Sequence, residues 1–221
     1  MIEQVLHPRI VENKDWATLL FLFSLVLIAL SKSLFENRFS EFTKLIVSDK
    51  YIKVYKDSGL MMSWFTVFLF IVQIVSFSFF IHLLLNSFGY TIKTDWISYI
   101  QIFTFLTVFI LSKYLIEKII GTAFDIEEFV EQFNLQKVSY RTFIGLFLLP
   151  FNCFLFYNDS ISHNLMLFFL STILIINVFT YILSIKKHQN ILIGNLFYFI
   201  LYLCALEIAP YYFMYYWFTK N

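Results

Sequence analysis

The sequence predicts an all-α polytopic transmembrane bundle of about six spans, with an amphipathic helix after the first span. Three observations predict it. Hydrophobic residues make up 60% of the 221 residues and charged residues 14%, and the mean hydropathy is +0.75, outside the usual range of a soluble domain. Apolar runs of bilayer length recur along the chain. Lys and Arg are concentrated in alternate connections between those runs.

A hydrocarbon core about 30 Å thick takes about 20 helical residues. Six segments of one integral membrane domain, 1–221, meet that requirement: 16–30, 60–85, 97–120, 140–157, 165–185 and 191–218. The first is the shortest, so crossing the membrane and lying in its interface both stay open for it. Polar connections separate the runs at 31–59, 86–96 and 121–139, with tight turns at 158–164 and 186–190. The start, M-I-E-Q-V-L-H-P-R-I-V-E-N-K-D-W, carries acids beside Arg9 and Lys14, and no small-x-small site follows the first run. A cleaved signal peptide is not expected.

Connections 31–59, 121–139 and 186–190, with the adjoining span ends, hold twelve of the sixteen Lys and Arg residues. By the positive-inside rule these are cytoplasmic, and both termini are periplasmic. If the first segment lies in the interface, the chain has five spans and a cytoplasmic N-terminus. The net charge of +1 gives no basic field for nucleic acid. Cys153 and Cys204 sit in apolar runs and form neither a disulfide framework nor a zinc spacing. The 30 Phe and 14 Tyr suit lipid-facing surfaces and interface belts.

In 31–59, Phe35, Phe39, Phe42 and Ile46 recur at helical spacing, with Glu36, Arg38, Glu41 and Lys44 left for other faces and Lys50, Lys53 and Lys56 following. Such a helix packs under the bundle with its lysines on lipid phosphates, or offers a docking surface to a cytoplasmic partner. The connection 121–139 is acidic, with Asp125, Glu127, Glu128 and Glu131, and can pair with the basic one. Lys113 and Glu117, one turn apart, suit a local ion pair.

Catalytic motifs are missing: the chain has no G-x-S-x-G, no H-E-x-x-H and no paired-Asp cluster for Mg²⁺ and pyrophosphate. Glu127-Glu128 is similar to the double glutamate of CPBP-type intramembrane proteases. His82-Leu83-Leu84-Leu85-Asn86, which resembles one of that family's His motifs, precedes the glutamates instead of following them, and the Arg that should follow them is absent, which excludes that family. His82 and His163 fall at span ends, where interfacial roles outnumber ligation of haem or metal. No enzyme activity, metal or cofactor is predicted.

Glu207 lies in an otherwise uncharged apolar run, I-L-I-G-N-L-F-Y-F-I-L-Y-L-C-A-L-E-I-A-P-Y-Y. An ionised carboxylate there costs roughly 2.5–3.5 kcal/mol to insert. Asn152 is expected at comparable depth in the fourth span, and Pro150 and Pro210 each release a carbonyl beside a polar side chain. Three readings stand together. Protonated Glu207 staples two helices through Asn152 or a freed carbonyl; or it carries a proton or cation, with Gln73, Gln101 and Asn177 as further lining; or it faces a transmembrane partner.

D-W-A-T-L-L near the first span, R-T-F-I-G-L-F-L-L-P-F-N in the fourth and Y-L-C-A-L-E-I-A-P in the last resemble an uncharacterised multi-pass family of Bacteroidota, domain-of-unknown-function family 4271. The resemblance covers almost the whole chain and implies an inner-membrane protein, with no activity to carry over. The expected function is a non-enzymatic component or assembly factor of a cell-envelope membrane complex, with a membrane-protein partner or a homo-oligomer in the lipid bilayer. The alternative is a small-solute or proton-coupled transporter working through Glu207.

Overall fold

The computed structural model describes residues 14–45, 50–55, 63–123, 127–158, 163–187 and Tyr216. Asp15–Leu34 (α1), Glu36–Thr43 (α2), Lys50–Val54 (α3), Trp64–Ser87 (α4), Trp96–Ala123 (α5), Glu127–Tyr157 (α6) and His163–Lys187 (α7) follow in order. Strands are absent among the described residues. The expected all-α bundle is what the chain forms. Five helices are long and apolar enough to cross a bilayer: α1, α4, α5, Val130–Tyr157 of α6 and His163–Thr180 of α7. Of the sixth expected span, 191–218, Tyr216 alone is among the described residues.

The first segment is longer than its apolar run indicated. At 20 residues, α1 is about 30 Å long, the thickness of the hydrocarbon core. It ends at Phe35, whose φ of −132° and ψ of 49° leave the helical region before α2 begins. One correction concerns 121–139, expected as a loop. Helix α6 starts at Glu127 and runs unbroken for 31 residues. Nothing from Glu127 to Ser139 is Gly or Pro, Glu and Gln are good helix formers, and Val130 and Phe133 bury one face of this polar turn.

The bundle is organised around α4, which touches α1, α5, α6 and α7. It is apolar on all sides, as a helix surrounded by other helices should be. Against it α1 turns Ala17, Ser24 and Ser31, all fully buried and seven residues apart. These small side chains let the two backbones approach. The serines return their hydroxyls to their own helix, Ser24 Oγ to Leu20 O and Ser31 Oγ to Leu27 O, each at 2.8 Å, so no polar group is left in the contact. Aromatic rings fill the space between, with Phe21 stacked on Phe79 at 4.4 Å.

Helix α6 is the other main partner of α4. Gly145 makes the approach possible, because a Cβ there would stand 3.0 Å from the Gln73 Cα. The short helices close the α2/α3 end. Phe42, Leu45, Tyr51, Ile52, Phe65 and Leu69 form a second core there, with Phe35 and Phe39 packed against it. The expected amphipathic face is therefore the buried one. At the opposite end Gly89, with φ +81°, takes the left-handed turn out of α4.

Candidate functional site: a polar seam between α4 and α6

Two positions one turn apart on α4, Gln73 and Ser76, bond polar side chains of α6. Gln73 is 1% exposed and accepts a hydrogen bond at Oε1 from Thr142 Oγ1, 2.7 Å away. One turn on from Gln73, Ser76 is met by Asn152 of α6, which is fully buried and donates from Nδ2 to Ser76 O at 2.7 Å and to Ser76 Oγ at 3.2 Å. Gly145 lies between these two ties. Two buried polar atoms of the seam, Gln73 Nε2 and Asn152 Oδ1, have no hydrogen-bond partner among the described residues.

Toward the α2/α3 end the seam meets a cavity of about 10 Å³, bordered by Tyr51, Thr66, Ser139 and Thr142. That volume and those four hydroxyls suit about one water molecule. Above it sits Arg38, only 7% exposed. Its Nη1 donates to Ser63 Oγ at 2.5 Å and its Nη2 to Thr66 Oγ1 at 3.3 Å, with Tyr51 OH at 3.5 Å. The guanidinium also lies 4.7 Å from the Tyr55 ring and 4.8 Å from that of Phe65, a cation–π enclosure. Burial pushes the Tyr51 phenol above its ordinary value, partly offset by the Arg38 charge and hydrogen bond.

Arg38 corrects a second expectation. It was left for a face other than that of Phe35, Phe39 and Phe42, yet it is buried, because it stands four residues before Phe42 on the same side of α2, against Ser63, Phe65 and Thr66, while Glu36, Asn37, Ser40 and Thr43 are exposed. Of the charges expected to pair between 31–59 and 121–139, Lys50, Lys53, Lys56, Asp125 and Glu128 lie outside the described side chains; the two stretches meet through the Tyr51 hydroxyl and Ser139, and Phe42 meets the Phe143 ring further along α6 at 6.0 Å. On α5, buried Glu117 receives Lys137 Nζ of α6 at 2.6 Å, a tie across helices.

Of the candidates read from the sequence, Asn152 and Gln73 join one seam. Pro150 is on α6 but exposed. Gln101 is exposed on α5, and Asn177 bonds Ile173 O of its own helix at 2.8 Å, so neither lines the seam. His163 is exposed and sets its ring edge-on to Phe88 at 4.8 Å. His82, expected at the interface, is fully buried. Among the described residues no three His, Cys, Asp or Glu side chains come together in a way that could hold a metal. Glu207, Pro210, Ile46 and Lys56 lie outside the described residues; Lys50 and Lys53 belong to α3, without described side chains. Thr142, Ser76 and Arg38 were missed. Thr142 and Gly145 stand three apart on α6, a small-residue signal for close helix contact that the sequence does carry.

Residues 17–218 match the family described as "Domain of unknown function (DUF4271)". The chain belongs to that family. The seam and its residues lie inside the matched span, so the family's domain is the membrane bundle itself. No curated protein and no solved structure matches the chain.

Proposed function

We propose that this DUF4271 protein is a non-enzymatic component or assembly factor of a membrane complex in the bacterial inner membrane, with both termini periplasmic. The supporting observation is how polar groups and surface are divided. Buried amides and hydroxyls tie α4 to α6 inside the bundle, while the apolar windows of α5 and α7 are only 11% and 6% buried. The outward side of α5 carries the exposed amide of Gln101. An amide on a membrane helix is best satisfied by another helix.

The test is in-membrane crosslinking of the full chain, extraction into native-lipid nanodiscs and mass spectrometry of what is retained. A defined partner at near-equal stoichiometry supports the reading, and a chain free of partners after crosslinking sinks it. The alternative is a small-solute or proton-coupled transporter using Glu207. It draws support from Gln73 Nε2 and Asn152 Oδ1, a donor and an acceptor available within one seam. Exchange of Glu207 for Gln separates the two: complex formation survives it, whereas flux in proteoliposomes is lost with the fold intact.

A further inference from the structure

At the end of the bundle opposite α2 and α3, three aromatic rings from three helices meet. Trp16 of α1 lies 5.1 Å from Tyr99 of α5 and 6.4 Å from His82 of α4, and His82 lies 6.2 Å from Tyr99, measured between ring centres. Phe79 and Phe156 pack around the Trp16 ring. Each of the three rings carries a buried polar atom without a hydrogen-bond partner among the described residues: Trp16 Nε1, Tyr99 OH and His82 Nδ1. His82 is 0% and Tyr99 3% exposed. Isolated buried polar atoms of this kind are rare, and here three lie on rings that touch one another.

The chemistry of the three is complementary. His82 Nε2 is 3.2 Å from the Lys93 carbonyl oxygen. A carbonyl only accepts, so Nε2 carries the proton, and in the neutral ring Nδ1 offers a lone pair. The indole N–H only donates, and the phenol does either. A group that satisfies all three must accept from Trp16 and also donate to His82. A carbonyl oxygen cannot donate, and an ammonium cannot accept. A hydroxyl does both.

We infer that Trp16, His82 and Tyr99 form a binding site for a single hydroxyl group, supplied by a water molecule or by the headgroup of a membrane amphiphile. Trp16 is partly exposed while the other two are buried, so the site is approached from the α1 side. Its occupant links α1, α4 and α5 at a place where direct side-chain hydrogen bonds among the three rings are not made. The site is separate from the α4/α6 seam and independent of the proposed role in a complex.

The sign of one isosteric substitution tests it. If Tyr99 OH bonds a hydroxyl, Tyr99→Phe removes a made hydrogen bond, and the melting temperature of the full chain in native-lipid nanodiscs falls by about 2–4 °C. If the phenol is an unsatisfied buried group, its removal is neutral or raises the melting temperature, and the proposal is overturned. Trp16→Phe provides the second variant. With a shared occupant its effect and that of Tyr99→Phe are less than additive, and strict additivity counts against a common ligand. Repeating the measurements after delipidation into detergent distinguishes the sources. A fall that persists identifies water. A fall confined to nanodiscs, with an amphiphile seen by native mass spectrometry on the parent chain and lost from Tyr99→Phe, identifies a lipid hydroxyl.

Discussion

Substitution of Gly145 by Ala probes the α4/α6 contact most directly. The added Cβ would lie 3.0 Å from Gln73 Cα, 3.1 Å from its Cγ and 3.3 Å from its Cβ. Carbon atoms pack at about 3.5–4.0 Å, so α6 has to retreat by roughly half an ångström or more, and the nearest atom is backbone that cannot swing aside. Thr142, three residues earlier, then loses its 2.7 Å contact with Gln73 Oε1. Overpacking costs about 1–3 kcal/mol, and an interhelical hydrogen bond in a membrane adds about 0.6 kcal/mol. Ala is favoured over Gly within a helix by about 1 kcal/mol, which leaves a net destabilisation of roughly 0.5–2.5 kcal/mol. Gly121→Ala is the comparison: its Cβ would meet the Val130 side chain, Cβ and Cγ2 both at 3.2 Å, a tight contact that involves no backbone atom of a facing helix. Thermal unfolding of both variants in one detergent, followed by thiol-reactive fluorescence or circular dichroism, gives the comparison. Gly145→Ala as stable as the parent chain would refute the close approach.

Asn152→Ala removes the tie to Ser76 and lowers stability by about 1 kcal/mol, read from the same melts. Arg38→Lys keeps the charge but loses the two-pronged contact with Ser63 and Thr66 and weakens the cation–π contacts with Tyr55 and Phe65. It should destabilise the α2/α3 end by about 1.5–3 kcal/mol, seen as faster proteolysis between α2 and α4. Ser24→Leu forces a large side chain between α1 and α4 at about 1–3 kcal/mol, whereas Leu25→Phe, on the exposed side, leaves the melt unchanged. The pH profile has two limbs. Asp95 is held below its ordinary value chiefly by the Ser98 hydroxyl and also by the Ile97 N–H. Its contribution is therefore present above the unfolded carboxylate range and lost as pH falls through the depressed value, and Asp95→Ser flattens this acid limb. Tyr51 is raised by burial, so the folded state resists its ionisation; stability is intact below pH 10 and declines above it, and Tyr51→Phe moderates that decline.

The membrane-crossing helices were legible because apolar length alone specifies them: α4 and α5 fall within a few residues of their expected limits. Helix α6 was legible only in its apolar half. Its first three turns are polar, and a hydropathy reading treats polar as loop, although Glu, Gln, Asn and Lys without Gly or Pro continue a helix beyond the bilayer. Within the site, Gln73 and Asn152 could be picked out as polar residues in apolar runs. Their partners could not, because a helix apolar on every side gives no sign of its rotation, and rotation decides that Asn152 meets Ser76 while Gln101 faces outward. Arg38 was misassigned because a charged residue was taken off the buried face, although its position four before Phe42 places it on that face.

The hydrogen bonds of the seam join residues 69 and 76 positions apart in the chain. During synthesis α4 emerges well before α6, so Gln73 and Ser76 enter the membrane without Thr142 and Asn152. Throughout that interval the Gln73 amide must be shielded by the insertion machinery, by a chaperone or by α5 as it arrives. The bundle therefore has a built-in order of assembly, in which α4 is inserted early and completed late, and a chain truncated before α6 should be a substrate for membrane quality control.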